Sequence, residues 1–266
     1  MKVAVAGAGG RMGRALIEAV LADRELALAA ALDVAGSPAL GQPAGGLKVV
    51  ADLGALAGAD VLIDFTRPEG TLAHLDACLK LGRPMVIGTT GLSEAQKARI
   101  AEGARRLPIV LSPNFAIGVN VVFRLAQTAA AALGDAYDVE IVEAHHRHKV
   151  DAPSGTALKL GELVAGALGR DLGKVATHGR SGDTGERPAG AIGFHAIRGG
   201  DIVGEHTVIF AGAGERVEIA VRSHSRLTYA AGALRAAKWL RGRAPGLYDM
   251  SDVLGLKEPA RYNSAL

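Results

Sequence analysis

Apolar residues gather in short unbroken blocks along the first part of the chain. Residues 2–6 read Lys-Val-Ala-Val-Ala, residues 61–65 Val-Leu-Ile-Asp-Phe, residues 84–87 Pro-Met-Val-Ile and residues 108–111 Pro-Ile-Val-Leu. Blocks this short, without polar alternation, predict strands covered on both faces. Residues 26–32 join them, because the run is short and ends at Asp33-Val34. Between blocks the period lengthens. Met12, Ala15, Leu16, Ala19 and Val20 recur every three or four residues, the spacing of a helix with one buried face. Thr66 and Glu69 stand at capping-box spacing with Pro68 between them, and Gly82 is placed to close that helix. Ser93 and Gln96 repeat the capping pattern ahead of a helix reaching about Arg106. Strands alternating with helices predict right-handed βαβ units and a parallel sheet.

The rhythm changes after about residue 115. A helix is predicted near 118–133, a strand at 138–144, a loop ahead of a helix over about 155–168, and a helix over 227–240. Three strands punctuated by glycine follow the second of these helices, at 191–198, 204–212 and 215–223, and the turn at 211–214 joins the last two as an antiparallel hairpin. No repeat or low-complexity tract interrupts the pattern. The fold class expected is α/β: a Rossmann-like parallel-sheet cofactor domain plus a smaller α+β domain with a mainly antiparallel or mixed sheet.

Composition narrows the function classes. The 36 glycines are about twice the usual share and show no triplet period, which points to tight turns and close backbone approaches. Thirty Lys and Arg against 27 Asp and Glu, with ten aromatics and no basic run, give no nucleic-acid stripe. The single cysteine, Cys78, rules out an intrachain disulfide and any thiolate zinc site. No run of 18 consecutive apolar residues occurs and the first apolar stretch is too short for a signal segment, so neither a membrane span nor export is expected, and a cytoplasmic location follows.

Gly7-Ala8-Gly9-Gly10-Arg11-Met12-Gly13 lies between the first strand and the first helix. Met12 takes the third-glycine position of the usual dinucleotide pattern, while Gly7, Gly10 and Gly13 keep threefold spacing. Glycine permits the tight turn, and the helix start offers N–H groups and positive partial charge to a pyrophosphate. Asp33 ends the next strand, where its carboxylate can hydrogen-bond ribose hydroxyls. Val34 supplies no cation for a 2′-phosphate, so NADH is favoured over NADPH, with Arg11 a partial compensation. Gly88-Thr89-Thr90-Gly91 and Ser112-Pro113-Asn114-Phe115 follow two further strands, where open α/β sheets bind ligands; simple turn chemistry accounts for them equally well.

His145, His146 and His148 fall within four residues, with Lys149 after them and Glu143 before. Imidazole and carboxylate are metal ligands, but Arg147 and Lys149 repel a divalent cation and no His-Glu-x-x-His spacing is present, so no metal is expected. A solvated basic loop is a second reading. The favoured one is an anion and proton-transfer site, because Ser154 or Asp151 can cap a helix whose Gly155 and Thr156 N–H groups receive a carboxylate.

Residues 143–157 resemble the signature of the 4-hydroxy-tetrahydrodipicolinate reductase family, also called dihydrodipicolinate reductase. The likeness runs along the chain through residues 7–13, 64–72, 88–91, 113–120, 198–208 and 225–240. It implies NAD(P)H-dependent reduction of 4-hydroxy-tetrahydrodipicolinate to tetrahydrodipicolinate, a step towards diaminopimelate and lysine. By position, His145 is implied as general acid/base and Lys149 as proton donor. His146, Ser154, Gly155 and Thr156 are implied as substrate-binding. Gly7, Ala8, Gly9, Gly10, Arg11, Met12, Asp33, Gly88, Thr89, Thr90, Ser112, Pro113, Asn114 and Phe115 are implied to line the cofactor. The resemblance further implies a dinucleotide-binding domain of residues 1–115 and 227–266, a substrate and oligomerisation domain of residues 116–226, and a homotetramer. Many relatives carry Arg after the acidic residue, where this chain has Val34, which bears on NADPH use. The other readings are a different imino- or amino-acid dehydrogenase, and a non-catalytic NAD-sensing module with no use for the histidine–lysine cluster.

Overall fold

The computed structural model describes residues 1–257, and the chain divides into two compact units. Residues 258–266, which the expected cofactor domain includes, lie outside the described residues. The first unit takes the chain up to Ile117 and resumes at Arg226; the second is Gly118–Ser225.

The first unit begins with strand β1 (Lys2–Ala6), helix α1 (Arg11–Ala22), β2 (Ala27–Leu32), the short β3 (Pro43–Ala44) and β4 (Leu47–Val50). It continues through β5 (Val61–Asp64), α2 (Pro68–Leu81), β6 (Met85–Ile87), α3 (Glu94–Ala104) and β7 (Pro108–Leu111). Helix α4 (Ile117–Leu133) leads into the second unit. That unit holds β8 (Asp138–His145), α5 (Gly155–Ala167), α6 (Leu172–Val175), β9 (Ala176–His178), β10 (Ile192–Arg198), β11 (Gly204–Ala211) and β12 (Arg216–Ser223). The chain then returns through α7 (Leu227–Trp239), β13 (Gly246–Tyr248) and α8 (Met250–Leu254).

The sheet of the first unit has the order β13-β7-β6-β5-β1-β2-β4-β3, parallel throughout except for the β3–β4 pair. Both faces are covered, which is why its strands read as unbroken apolar runs. Val3 and Val5 of β1 face a core shared with Leu16 and Val20 of α1 and Ala233 and Leu234 of α7. Ala4 and Ala6 face the opposite core with Leu75, Cys78 and Ile100 from α2 and α3. The chain fills one side of β1 with β2 and β4, then the other with β5, β6 and β7. The β1 end is therefore a topological switch point, the place where such sheets bind ligands.

Local signals act as the sequence predicts with one exception. Ser93 and Gln96 form a reciprocal capping box at α3, and Gly82 ends α2 in the left-handed conformation at φ +66°, where a Cβ would be strained. Thr66 and Glu69 do not form theirs. The cap position of α2 is Arg67, without a side-chain bond, because the Thr66 hydroxyl donates instead to Asp64 Oδ1 at 2.6 Å. Turned back toward the buried carboxylate, that hydroxyl makes no cap bond to the helix N–H groups.

The second sheet has the order β12-β11-β8-β10-β9 and is mixed: β11 runs antiparallel to β8 and β12, while β10 runs parallel to β8 and β9. Helix α5 packs so closely on one face that a Cβ at Gly161 would stand 2.4 Å from the Phe194 ring. On the other face Glu140 accepts from Arg180 and Arg187 and lies 2.7 Å from His195 Nε2. Burial works against that carboxylate, yet these partners outweigh it and hold its pKa at about 2. The arrangement ties the long β9–β10 loop to the sheet.

One helix bears on the expectation of no membrane-spanning stretch. Among the described residues, Ile117–Ala136 is long and apolar enough for a span by length and composition. Asn120, Arg124 and Gln127 interrupt its apolar run yet leave its average hydropathy high. Val119, Val122, Phe123, Ala126 and Ala130 are buried at helical spacing, the pattern of a core helix.

Candidate active site

In the first unit, β1 delivers the chain to Gly7 at φ +80°, and the Gly10 N–H closes the turn on the Gly7 carbonyl at 2.9 Å. Helix α1 then starts with Gly10 as cap residue and no side chain bonded to its first donors. Those N–H groups and the positive helix end suit an anion. Gly13 supplies the close helix–strand approach: a Cβ there would lie 2.0 Å from the Gly7 carbonyl oxygen. Met12 at the usual third-glycine position therefore does no harm. Asp33 Oδ2 accepts the Gly9 N–H at 2.8 Å and Oδ1 accepts the Val34 N–H at 2.8 Å. Gly7 to Gly10 and Asp33 line a cavity of about 1630 Å³ together with Thr66 and His74. Arg11, Met12 and the loops at 88–91 and 112–115 are outside that lining.

Within those loops Thr90 and Pro113 are exposed, while Thr89, Ser112 and Phe115 are buried. Thr89 accepts the Thr71 hydroxyl at 2.7 Å, and Ser112 Oγ donates to the Asn114 carbonyl at 2.8 Å. Asn114 Oδ1 in turn accepts the Ala116 N–H at 2.8 Å. The Phe115 ring packs on Phe65 with centroids 5.4 Å apart. These side chains hold the loops in shape, leaving backbone and the exposed residues to face a ligand.

In the second unit the chemistry collects where β8 ends. Glu143 and His145 are two residues apart on a strand and so share a face. Glu143, 1% exposed, accepts from four donors: Arg198 Nη1 and Nη2 at 2.8 and 2.7 Å, the Ser154 N–H at 3.1 Å, and His145 Nδ1 at 2.5 Å. Arg198 reaches it because β10 pairs with β8 in a register that sets Arg198 opposite His145. Burial raises the Glu143 pKa, but the guanidinium and the imidazole more than reverse this, and the carboxylate stays ionised. His145 moves down from its ordinary value, chiefly through burial and against the pull of Glu143. It is therefore neutral near pH 7, with Nδ1–H donated to Glu143 and the Nε2 lone pair open.

Lys149 Nζ lies 2.8 Å from both oxygens of Asp151, so Asp151 serves the lysine and does not cap α5. Ser154 is the cap, accepting the Ala157 N–H at 3.1 Å. Its oxygen also lies 2.9 Å from His206 Nε2 and is buried, so the substrate contact expected of Ser154 is not one its hydroxyl is placed to make. Gly155 stands exposed at the helix start. His146 Nδ1 is buried with no hydrogen-bond partner, and its ring lies 6.2 Å from that of His148. From sequence alone Arg198 and His206 take no role of their own, although both fall within the 198–208 stretch of the resemblance, and Glu143 is read only as a ligand type. The two-residue spacing of Glu143 and His145 was the available signal.

His206 carries a stability consequence. Burial pushes its pKa down to about 4, with the charge of a protonated His145 adding to the effect. Its unfolded counterpart titrates near 6.5, so the stability from keeping it neutral is full above that pH and is lost as pH falls through about 4. On the order of 3 kcal/mol is at stake. Urea unfolding between pH 7 and 4 should show this slope in the wild type and a flatter one in His206→Gln. Equal slopes would assign the loss to another group.

Comparison with known proteins agrees with both halves of the chain. The family model described as dihydrodipicolinate reductase, N-terminus, matches residues 1–115, and the C-terminus model matches residues 118–254. The 4-hydroxy-tetrahydrodipicolinate reductases of Thiobacillus denitrificans and Cupriavidus necator are each 60% identical over 265 residues, covering 97% of this chain and 99% and 100% of theirs. A dipicolinate-bound dihydrodipicolinate reductase from Paenisporosarcina sp. TG-14 superposes with a TM-score of 0.75 at 27% identity, covering 94% of this chain and 97% of that one. With both domain models matched and relatives aligned along its whole length, the chain belongs to the dihydrodipicolinate reductase family.

Proposed function

We propose that this chain reduces 4-hydroxy-tetrahydrodipicolinate to tetrahydrodipicolinate with NADH as the preferred donor, on the path to diaminopimelate and lysine. The observation that carries the reading is the Arg198–Glu143–His145 array beside Lys149, in a chain 60% identical to named reductases over nearly its full length. The glycine turn fits a dinucleotide: the close approach at Gly13 would be filled by a Cβ, and the helix donors lack a side-chain cap. Gly7 to Gly10 would hold the pyrophosphate and Asp33 the adenine ribose. When bound, the nicotinamide supplies a hydride.

The protein's own groups do the rest. Lys149 and the start of α5 at Gly155 and Thr156 grip the substrate carboxylates. A dianion beside His145 favours the imidazolium, so His145 takes up a proton as substrate binds and holds it at Nε2. Glu143 keeps Nδ1–H in place, so the exchangeable proton is the one facing substrate. Lys149 donates to the departing hydroxyl, which leaves as water. His146 adds a further polar contact.

NADH preference rests on Asp33, whose carboxylate repels a 2′-phosphate, and on Val34, 73% exposed and uncharged. Steady-state reduction of freshly generated substrate should give a kcat/KM about tenfold or more higher with NADH than with NADPH. Val34→Arg should narrow the gap. No turnover with either nicotinamide would remove the assignment, and a NADPH preference would remove the cofactor reading alone.

The five-stranded sheet supports self-association as a homotetramer. Its face away from α5 carries Ile197, 53% exposed, Ile209 and the paired Thr207 and Ala220. Cys78, buried and unpaired, fits a reducing cytoplasmic setting.

A further inference from the structure

Asp64 is a fully buried carboxylate at the end of β5, and the chemistry above makes no use of it. It sits at the centre of the parallel sheet, in register with Ala6 of β1 and Ile87 of β6. Burying an ion among apolar strands is costly, so its donors matter. There are three: the Thr66 N–H at 2.9 Å and hydroxyl at 2.6 Å on Oδ1, and His74 Nδ1 at 3.0 Å on Oδ2. Together they fold residues 64–66 into a tight turn.

That turn touches three of the loops assigned to the cofactor. A Cβ at Gly7 would come within 3.1 Å of the Phe65 carbonyl oxygen and 3.2 Å of Thr66 Cγ2. At Gly88 it would fall 2.3 Å from the Phe65 ring, and the Gly88 N–H donates to the Asp64 carbonyl at 2.8 Å. Phe115 of the third loop packs on the same ring. A second, looser contact reaches Thr89: Thr66 Oγ1 lies 3.4 Å from Thr71 Oγ1, touching it without a hydrogen bond because the Thr66 proton goes to Asp64, and Thr71 donates its own to Thr89 at 2.7 Å. The glycine turn and both later loops thus meet one element, and the carboxylate of Asp64 sets its shape.

We infer that Asp64 is a positioning residue for the cofactor, acting through Phe65, Thr66 and the Thr71–Thr89 pair to hold three strand-end loops in their ligand-binding arrangement. This rests on the reading of the first unit as the dinucleotide site. Preorganised loops spare the ordering that binding otherwise requires, so loosening them weakens affinity without touching the proton-transfer groups.

The test uses the full chain, Asp64→Asn and the near-isosteric Thr71→Val, with NADH fluorescence titration, steady-state kinetics and melting of the ligand-free protein. Both variants should bind NADH about tenfold more weakly and raise its KM alike, while kcat at saturating NADH changes by less than about threefold. Thr71→Val should melt within a few degrees of wild type, so its weaker binding is not unfolding, and if Asp64→Asn does not fold, Thr66→Val, which removes the hydroxyl donor of Asp64, takes its place. NADH affinity within about twofold of wild type in the folded variants would overturn the inference, as would a kcat loss equal to the KM rise. A wild-type chain that bound no NADH would overturn the dinucleotide reading and this inference with it.

Discussion

Lys149→Ala should lower kcat/KM by about 10³-fold or more, the largest loss expected of any single substitution in this chain. Two roles go at once. A charge-assisted bond to a substrate carboxylate contributes about 1.5–3 kcal/mol, and a positioned proton donor about 10²–10⁴-fold in rate. The structure adds a third cause. Lys149 Nζ covers both oxygens of Asp151, so its removal leaves an uncompensated anion where a dianionic substrate must settle. Stability should hardly move, since this pair is partly solvated, with side-chain exposures of 20% and 57%. Steady-state kinetics should show kcat falling and KM rising, with Lys149→Ala/Asp151→Asn regaining part of the KM loss only. A mild effect on both constants would make Lys149 a solvated lysine with no part in the chemistry.

His145→Ala should reduce kcat by about 10²–10⁴-fold and leave the NADH dissociation constant nearly unchanged. The residues proposed to hold the cofactor belong to the first unit and His145 to the second, so the two effects should separate. Glu143 keeps three of its four donors after the change, so the site does not collapse around an unpaired carboxylate. The pH dependence carries a sharper signature. Burial sets the His145 pKa below its ordinary value, Lys149 and Arg198 add to the lowering, and Glu143 opposes it. If the protonated form is the active one, kcat/KM rises as pH falls through that lowered value and levels off beneath it. The variant should lose this limb. Turnover that survived the substitution, or a limb that persisted without the imidazole, would remove His145 from its role.

Much of the fold was legible because its causes are local. The unbroken apolar blocks at 2–6, 61–65, 84–87 and 108–111 became central parallel strands, since burial on both faces leaves no reason for polar alternation. Ser93, Gln96 and Gly82 did what their spacing predicts, because caps act over one helical turn. The short strands β3, β9 and β13 carry no such pattern. Two or three residues pair only when a neighbouring strand is already in place.

The sequence by itself determined the α/β class, the strand–turn–helix setting of the first glycines, the clustering of His145, Lys149 and Ser154 in one short loop, and family membership. All of these depend on residues close together in the chain. Tertiary structure decided the rest. Arg198 stands 55 positions from Glu143, and only the parallel register of β10 on β8 makes it a partner. The same folding turned Ser154 inward to His206, 52 positions away. Hydrogen bonds between distant segments follow from which strands become neighbours, and that is settled by the burial of the whole sheet, not by any local run of residues.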